Sequence, residues 1–213
     1  AQHGREAPAL AQDADPDAVA GAVRQAEIGR AALGEFAPVG LVAAQLARSD
    51  GFRRNTYLGR DDTNERDETT LRGKVRLGLA DDWTAGVSTM YVSLDNGFDV
   101  FSPDNRLRTL TDQPGRDAQR SVGASLKLDG DLGRATLVST TSYANSDIVY
   151  SFDGDWGNEP YWGIYAPYQY FSLYDRQRGT LGQDLRITST ATAHGEGIGW
   201  LAGAYALRMD EDN

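Results

Sequence analysis

The chain has 213 residues, no cysteine and a formal net charge of −10 at pH 7. This acidic balance argues against a nucleic-acid partner, because phosphate binding needs a basic stripe, and the lack of cysteine excludes disulfides and thiolate metal sites. Mean hydropathy is −0.51 and no run of about 18 apolar residues occurs, which excludes a transmembrane helix but not strands that cross a membrane.

The amino-terminal part differs from the rest. Residues 1–16 are rich in Ala, Gln, Asp and Pro, which is typical of a poorly ordered segment. Residues 18–33 hold enough alanine for a helix, yet they also fit a degenerate pair of strands, and we predict a strand over 18–28. No signal peptide is visible, so we expect that it was cleaved or that the chain is a fragment. We predict a weakly structured segment over 1–38 and a β-domain over 39–213.

From residue 39 onwards the sequence alternates with a period of two, which predicts strands. The clearest strand is 69–79, where leucines and valine occupy one parity and Arg72, Lys74 and Arg76 the other. Successive side chains of a strand point to opposite faces, so one face of this strand is apolar and the other cationic. A membrane barrel produces that contrast naturally, because one face meets lipid and the other meets water. The predicted strands are 39–48, 69–79, 83–94, 119–128, 134–146, 179–189 and 198–209.

The connections alternate between long and short. Long polar stretches cover 49–68, 95–118 and 147–178, and short turns lie near Asp81, at 129–133 and at 191–197. Long loops at one end and short turns at the other are typical of an outer-membrane barrel. The sequence therefore predicts an all-β fold: an antiparallel transmembrane β-barrel segment of about seven or eight strands.

Aromatic residues stand at heights that suit the interfacial girdles of such a barrel. They are Tyr91, Tyr143 and Tyr205 within strands, and Trp83 and Trp200 near short turns. Packing of aromatic side chains in a soluble β-sandwich is the alternative explanation.

Several stretches, in order, resemble the early barrel of TonB-dependent outer-membrane receptors. They are SDGFRRNTYLGRDDTNERDETTLRGKVRLG (49–78), LDNGFDVFSPDNRLRTLTDQPGRDAQRSVGASLK (94–127), TLVSTTSYANSD (136–147), GQDLRITS (182–189) and WLAGAYALRMDEDN (200–213). The resemblance implies a barrel of about 22 strands with an amino-terminal plug domain, in the outer membrane of Gram-negative bacteria. It also implies uptake of a scarce nutrient, such as an iron chelate, a vitamin or an oligosaccharide, driven by the TonB complex.

The chain departs from that family pattern. It shows no plug and no TonB box, and it ends in an acidic run, Asp210 to Asp212 and then Asn213, where the last strand of a barrel would end in an aromatic residue. We therefore expect a fragment of the receptor that does not transport alone and is not an enzyme. Two alternatives stay open: a self-contained, porin-like small barrel, and a soluble β-sandwich module that binds carbohydrate.

The predicted ligand-binding residues are Trp156, Tyr161, Trp162 and Tyr165. They belong to a concentration of ten aromatic residues between Tyr150 and Tyr174. Aromatic rings bind sugars and apolar ligands by stacking, and loops on a rigid scaffold often carry function. The competing explanation is that this loop folds on itself or packs against the rim of the barrel.

Other charged groups carry weaker signals. Arg72, Lys74 and Arg76 would face the lumen and either steer an anionic ligand or, as we favour, pair with acids of the plug or of neighbouring strands. The oxygen-rich segment 95–105 lacks the spacing of an EF-hand, and an acidic exterior loop explains it better than a cation site. His3 and His194 have no second ligand for zinc. We predict no catalytic residue, no metal ligand and no cofactor.

Overall fold

The computed structural model describes residues 22–31, 38–165, 168–190 and 197–213, and its fold is all-β. The strands are β1 (Ala22–Ala31), β2 (Val39–Ser49), β3 (Arg54–Asn55), β4 (Arg66–Ala80), β5 (Trp83–Phe98), β6 (Arg108–Thr109), β7 (Gly115–Asp131), β8 (Ala135–Asp153), β9 (Phe171–Ser189) and β10 (Leu201–Asp212). Helix α1 (Glu159–Trp162) and a 3-10 turn (Gly163–Tyr165) lie between β8 and β9. No helix in these ranges is long and apolar enough to cross a membrane.

The long strands form one antiparallel sheet in the order β1-β2-β4-β5-β7-β8-β9-β10. Each long strand pairs with the next long strand in the chain, as hairpins require. Strands β3 and β6 form a separate parallel ladder of two residues each. Among the described strands the sheet is open, with β1 and β10 as its edges, so the predicted antiparallel architecture is confirmed without closure into a barrel. The described residues also form no second large sheet that could make a sandwich.

All seven strands predicted from residue 39 onwards are present, but the predicted limits of the long loops are wrong. Strands β4, β5, β7, β8 and β9 run for 15, 16, 17, 19 and 19 residues. The three long connections shorten accordingly to 50–65, 99–114 and 154–170, which we call loop 1, loop 2 and loop 3. The strands continue because their polar ends pair through the backbone, as Asn96 does with Asp117 and Phe152 with Ser172.

The amino-terminal segment contributes one strand. β1 pairs antiparallel with β2, with Ala22 opposite Arg48 and Ile28 opposite Val42. The described strand overlaps the predicted 18–28 over residues 22–28 and continues to Ala31. Residues 1–21 and 32–37 lie outside the described residues.

Cross-strand register separates the two faces of the sheet, because residues directly opposite each other share a face. Val75 lies opposite Val87, which lies opposite Leu126, whereas Lys74 lies opposite Ser88 and then Ser125. We call the first side the apolar face and the second the polar face. The apolar face carries Val42, Leu46, Leu71, Val75, Leu77, Val87, Tyr91, Val122, Leu126, Leu128, Leu137, Tyr143, Leu181, Leu185 and Ile187.

Neither face of the sheet is covered. Among the described residues Ala85 is the only buried apolar side chain, and Val75 and Leu126 are 41% and 43% exposed. A sheet normally buries at least one face against another layer. The apolar face therefore has no internal partner within the described part of the chain.

Strand β10 departs from this pattern. Leu201, Gly203, Tyr205 and Leu207 share a side, as predicted, but the pairing with β9 places that side on the polar face. Leu207 lies opposite Gly182, and a Cβ built on this glycine would be 3.7 Å from the Leu207 side chain. Alanines 202, 204 and 206 continue the apolar face instead, so β10 is apolar on both sides over residues 201–207. Beyond them Arg208, opposite Leu181, and Asp210 place charges on the apolar face.

The sheet places its connections at two ends. The turns β4–β5 and β7–β8 are short, and loops 1, 2 and 3 all lie at the opposite end, as the alternation of antiparallel strands dictates. The predicted alternation of long and short connections is confirmed for the five connections from β2 to β9. Of the third predicted turn, 191–197, residues 191–196 lie outside the described residues. We call the end with the three loops the loop end.

Candidate ligand-binding surface at the loop end

Loops 1 and 2 are held together by a buried polar network centred on Asp99. Its carboxylate accepts hydrogen bonds from Asn55 Nδ2 at 3.0 Å, Thr109 Oγ1 at 2.7 Å and Thr111 Oγ1 at 2.8 Å. All four side chains are at least 97% buried. The network explains why the short β3–β6 ladder forms there, since Asn55 and Thr109 are also partners in that ladder.

Loop 3 is tied to loop 2. Asn158 donates from Nδ2 to the carbonyl of Leu110 at 2.6 Å, and the backbone N–H of Asp112 donates to the carbonyl of Gly157 at 3.1 Å. Gln169 donates to the Asp112 carboxylate at 2.7 Å. The three loops therefore form one interlocked assembly.

Two aspartates organise the beginning of loop 3. Asp153 Oδ1 accepts from the backbone N–H of Asp155 at 3.1 Å and of Trp156 at 3.2 Å. Asp155 accepts from the N–H of Gly157 and Tyr170 and from Trp162 Nε1. The other Asp153 oxygen is buried and has no hydrogen-bond partner in the part of the chain that the structure describes. Burial, and then the nearby Asp155 carboxylate, raise the pKa of Asp153 from 3.8 to about 6.

An aromatic cluster lies where the polar face meets the loops. Phe98 and Tyr150 are 4.9 Å apart between ring centroids, Phe101 stacks on Trp156 at 5.2 Å, and Tyr150 stacks on Tyr174 at 6.3 Å. The Phe152 ring lies between those of Phe101 and Tyr150 and contacts both. The six rings come from β5, β8, β9, loop 2 and loop 3, so the loop assembly fixes their arrangement.

The predicted ligand-binding residues do not come together as one group. Trp156 belongs to the aromatic cluster, and its φ of 61° is unusual for a bulky residue. Tyr161 and Trp162 form a separate edge-to-face pair, 5.0 Å between centroids, and Trp162 continues to Tyr168. Tyr165 is 72% exposed and has no ring partner among the described residues. Whether any of the four contacts a ligand stays a prediction.

Beside the cluster, β8 and β9 line a cavity of about 360 Å³ on the polar face that is open to solvent. It is lined by Ile148, Tyr150, Phe152, Tyr174 and Arg176. The Arg176 guanidinium stands over the Tyr174 ring, 5.1 Å from its centroid. Its Nε is buried and has no hydrogen-bond partner among the described residues.

Sequence reasoning missed this cavity because it assigned Tyr150, Phe152 and Tyr174 to a loop, whereas all three lie in strands. The available signal was the period of two along a strand. Positions 148, 150 and 152 would share one face of a strand, and so would positions 174 and 176. Phe98 and Phe101 had no such signal, because their place in the cluster depends on how loop 2 packs.

The cationic stripe Arg72, Lys74 and Arg76 lies on the polar face, as the alternation predicted. Among the side chains of 38–165, 168–190 and 197–213, which leave out those of β1, none of the three cations is within 4.0 Å of an acidic group, so the favoured pairing with acids of neighbouring strands is not formed there. Elsewhere on that face Lys127 pairs with Asp129, and Arg186 with Asp184.

The oxygen-bearing side chains of segment 95–105 form separate interactions with different partners. Asp95 pairs with Arg116, Asn96 bonds to Glu68 and to the Asp67 backbone, and Asp104 pairs with Arg108. Within the described ranges, no group of three or more His, Cys, Asp or Glu side chains is placed to hold a metal ion. His3 and His194 lie outside those ranges.

Comparisons with protein-family models, curated proteins and solved structures found no match to this chain.

Proposed function

We propose that this chain is part of an outer-membrane β-barrel receptor of the TonB-dependent kind, which captures a small nutrient and passes it inward. In this proposal the apolar face contacts lipid, the polar face lines the lumen, and the loop end faces the cell exterior. A plug domain and the TonB complex are the partners in the whole receptor. The chain has no enzymatic role and does not transport alone.

The apolar face is the observation that carries the proposal. Large apolar side chains of this face are exposed on each of the neighbouring strands β2, β4, β5, β7, β8 and β9, including Val42, Leu71, Val122, Tyr143 and Leu181. Exposed apolar patches of more than a few hundred square ångströms mark membrane or protein interaction sites. An apolar outer face backed by a polar inner face is the pattern of strands that cross a bilayer.

The two ends of the sheet support the same function. Short turns at one end and three interlocked loops at the other match the two sides of an outer-membrane receptor. The central parts of the strands are long enough to cross, because a tilted transmembrane strand needs about 9–11 residues. The extra length of β8 and β9 then carries the aromatic cluster above the bilayer, beside the loops.

The cationic stripe, which has no acidic partner among the described side chains, is consistent with a lumen that holds another domain. Arg72, Lys74 and Arg76 would be expensive in contact with lipid. On the polar face they meet water, and acidic groups of a plug would complete their pairing. The resemblance of 39–213 to the early barrel of these receptors supports the same assignment.

Flotation of lipid vesicles tests the proposal. The full chain is refolded from urea in the presence of vesicles of bacterial outer-membrane lipids and then centrifuged through a density gradient. We expect it to float with the vesicles and to stay with them after a carbonate wash.

The matched control replaces three apolar-face residues by serine: Val75, Val87 and Leu126. This variant should lose flotation, whereas serine at Arg72, Lys74 and Arg76 should not reduce it. A wild-type chain that remains soluble and monomeric at the bottom of the gradient would refute the membrane assignment.

A further inference from the structure

The cavity beside Arg176 has the features of a binding site for a defined kind of ligand. Its size falls within the range of about 300–1,000 Å³ that is usual for small-molecule sites. Three of its five lining residues are aromatic, and Arg176 supplies the only formal charge among them. The rigid pairing of β8 with β9 fixes the lining, since Tyr150 lies opposite Tyr174 and Ile148 opposite Arg176.

Arg176 differs from the other arginines of its strand. On the same face of β9, Arg178 pairs with Glu211, and Arg186 pairs with Asp184 at 2.7 Å. Arg176 forms no ion pair and no hydrogen bond to a described residue, and its Nε is buried. A buried guanidinium nitrogen without an acceptor is costly, so the site is incomplete until an acceptor enters.

The chemistry of the lining selects the class of ligand. A guanidinium presents a planar fork of donors that matches a carboxylate through two parallel hydrogen bonds. The rings of Tyr150, Phe152 and Tyr174 favour a flat apolar body that can stack on them. A neutral sugar would find no carboxylate or amide among the lining residues to receive its hydroxyl protons.

We propose that this cavity binds a small aromatic carboxylate, with the carboxylate on Arg176 and the ring among Tyr150, Phe152 and Tyr174. The inference rests on the proposed function for the assignment of the loop end to the ligand side of a receptor. The neighbouring aromatic cluster then forms one wall of the approach to the site from the loops.

Equilibrium dialysis of 4-hydroxybenzoate against the full chain in detergent micelles tests this inference, with empty micelles as the blank. We expect saturable binding of one molecule per chain. The neutral amide, 4-hydroxybenzamide, should bind at least about tenfold more weakly, because it offers no charge-assisted hydrogen bonds to the guanidinium.

Two variants locate the site. Arg176→Gln should weaken binding of 4-hydroxybenzoate by roughly tenfold to a hundredfold, since it removes the charged fork. Ile148→Trp should abolish binding by filling the cavity while leaving the charge in place. Arg186→Gln is the matched control, because it changes an ion-paired arginine of the same strand and face, and it should bind like the wild type.

Binding that is equal for the carboxylate and the amide, or unchanged in both Arg176→Gln and Ile148→Trp, would overturn the inference. Absence of saturable binding by the wild type would do the same. Vesicle flotation of the same preparations separates this failure from that of the proposed function, because a chain that floats but does not bind contradicts only the ligand assignment.

Discussion

Asp99 is a buried carboxylate whose hydrogen bonds join two loops. We predict that Asp99→Ala lowers the free energy of unfolding by about 2 to 4 kcal/mol, because it leaves the buried hydroxyl groups of Thr109 and Thr111 without an acceptor. Asn55 Nδ2 loses one of its acceptors and keeps its hydrogen bonds to Thr111. Urea unfolding in detergent micelles measures the change.

Asp104 in the same loop is the control. Its carboxylate is on the surface and pairs with Arg108, so Asp104→Ala should have a much smaller effect. Equal losses of stability in the two variants would show that the Asp99 network does not hold the loops together.

The raised pKa of Asp153, at the same end of the sheet, predicts that the free energy of unfolding depends on pH. Burial raises the pKa of its carboxyl to about 6, so the folded chain binds this proton more tightly than the unfolded chain does. The contribution of Asp153 to stability is therefore complete below about pH 4 and falls as the pH rises to about 6, by roughly 1 to 3 kcal/mol. Above that pH it should be constant.

Asp153→Asn isolates this effect. The amide keeps an oxygen for the N–H groups of Asp155 and Trp156 but cannot ionise. Urea unfolding measured from pH 4 to pH 8 should show a smaller decline for the variant than for the wild type. Parallel curves for the two proteins would mean that Asp153 does not titrate in this range.

Among the elements, β4 shows most directly how the two faces differ. We predict that Val75→Arg costs about 2 to 4 kcal/mol of folding free energy in lipid, because it places a charge near the bilayer midplane, whereas Lys74→Val costs little. Reversible folding into vesicles at graded urea concentrations measures both. If the two neighbours responded alike, the assignment of the faces would be wrong.

The elements also show how far sequence could lead. In β4 and β7 the alternation of apolar and polar residues was sufficient to predict a strand, the side chains on each of its faces and the turn that follows it. In the central part of these strands every second residue is apolar or glycine, so the period of two is unambiguous. In β10 the alternation was real, but the face depended on the register with β9, which sequence does not contain. The ends of β8 and β9 were missed because their aromatic and polar residues suggested a loop.

For the candidate site, the sequence predicted the part of the chain in which aromatic residues concentrate but not which residues come together. Of the four residues predicted to bind ligand, Trp156 lies in the aromatic cluster, and a role in ligand binding stays a prediction for all four. Arg176 and Phe98 could not be found from aromatic enrichment, since they reach the cluster or its cavity through strand pairing and loop packing between residues far apart in sequence.

At the scale of the whole molecule, the sheet keeps two edges, β1 and β10, among the described strands. Unpaired edges are costly in hydrocarbon, because their backbone groups have no hydrogen-bond partners. We therefore expect the chain to enter a bilayer with its edges paired to those of other copies, and not as a single closed pore. We predict that the purified chain alone gives no discrete conductance in a planar bilayer. Uniform single-channel steps would favour the self-contained, porin-like barrel instead.

The placement of the loops predicts a topology in cells. Loops 1, 2 and 3 should be exposed on the cell surface and the turn at Asp81 should not, because they lie at opposite ends of the sheet. Protease added to intact cells that express the receptor should cut only within the loops. Cleavage near Asp81 from outside would contradict the proposed orientation.

The most direct test of the central claim compares the surroundings of the two faces in a bilayer. The chain has no native cysteine, so single cysteines at Val75 and Leu126 on the apolar face, and at Lys74 and Ser125 on the polar face, can each carry a nitroxide label. In lipid vesicles, labels on the apolar face should collide mainly with oxygen, which concentrates in hydrocarbon, and labels on the polar face mainly with a water-soluble nickel chelate. Equal accessibility of all four labels to the nickel chelate would contradict the account.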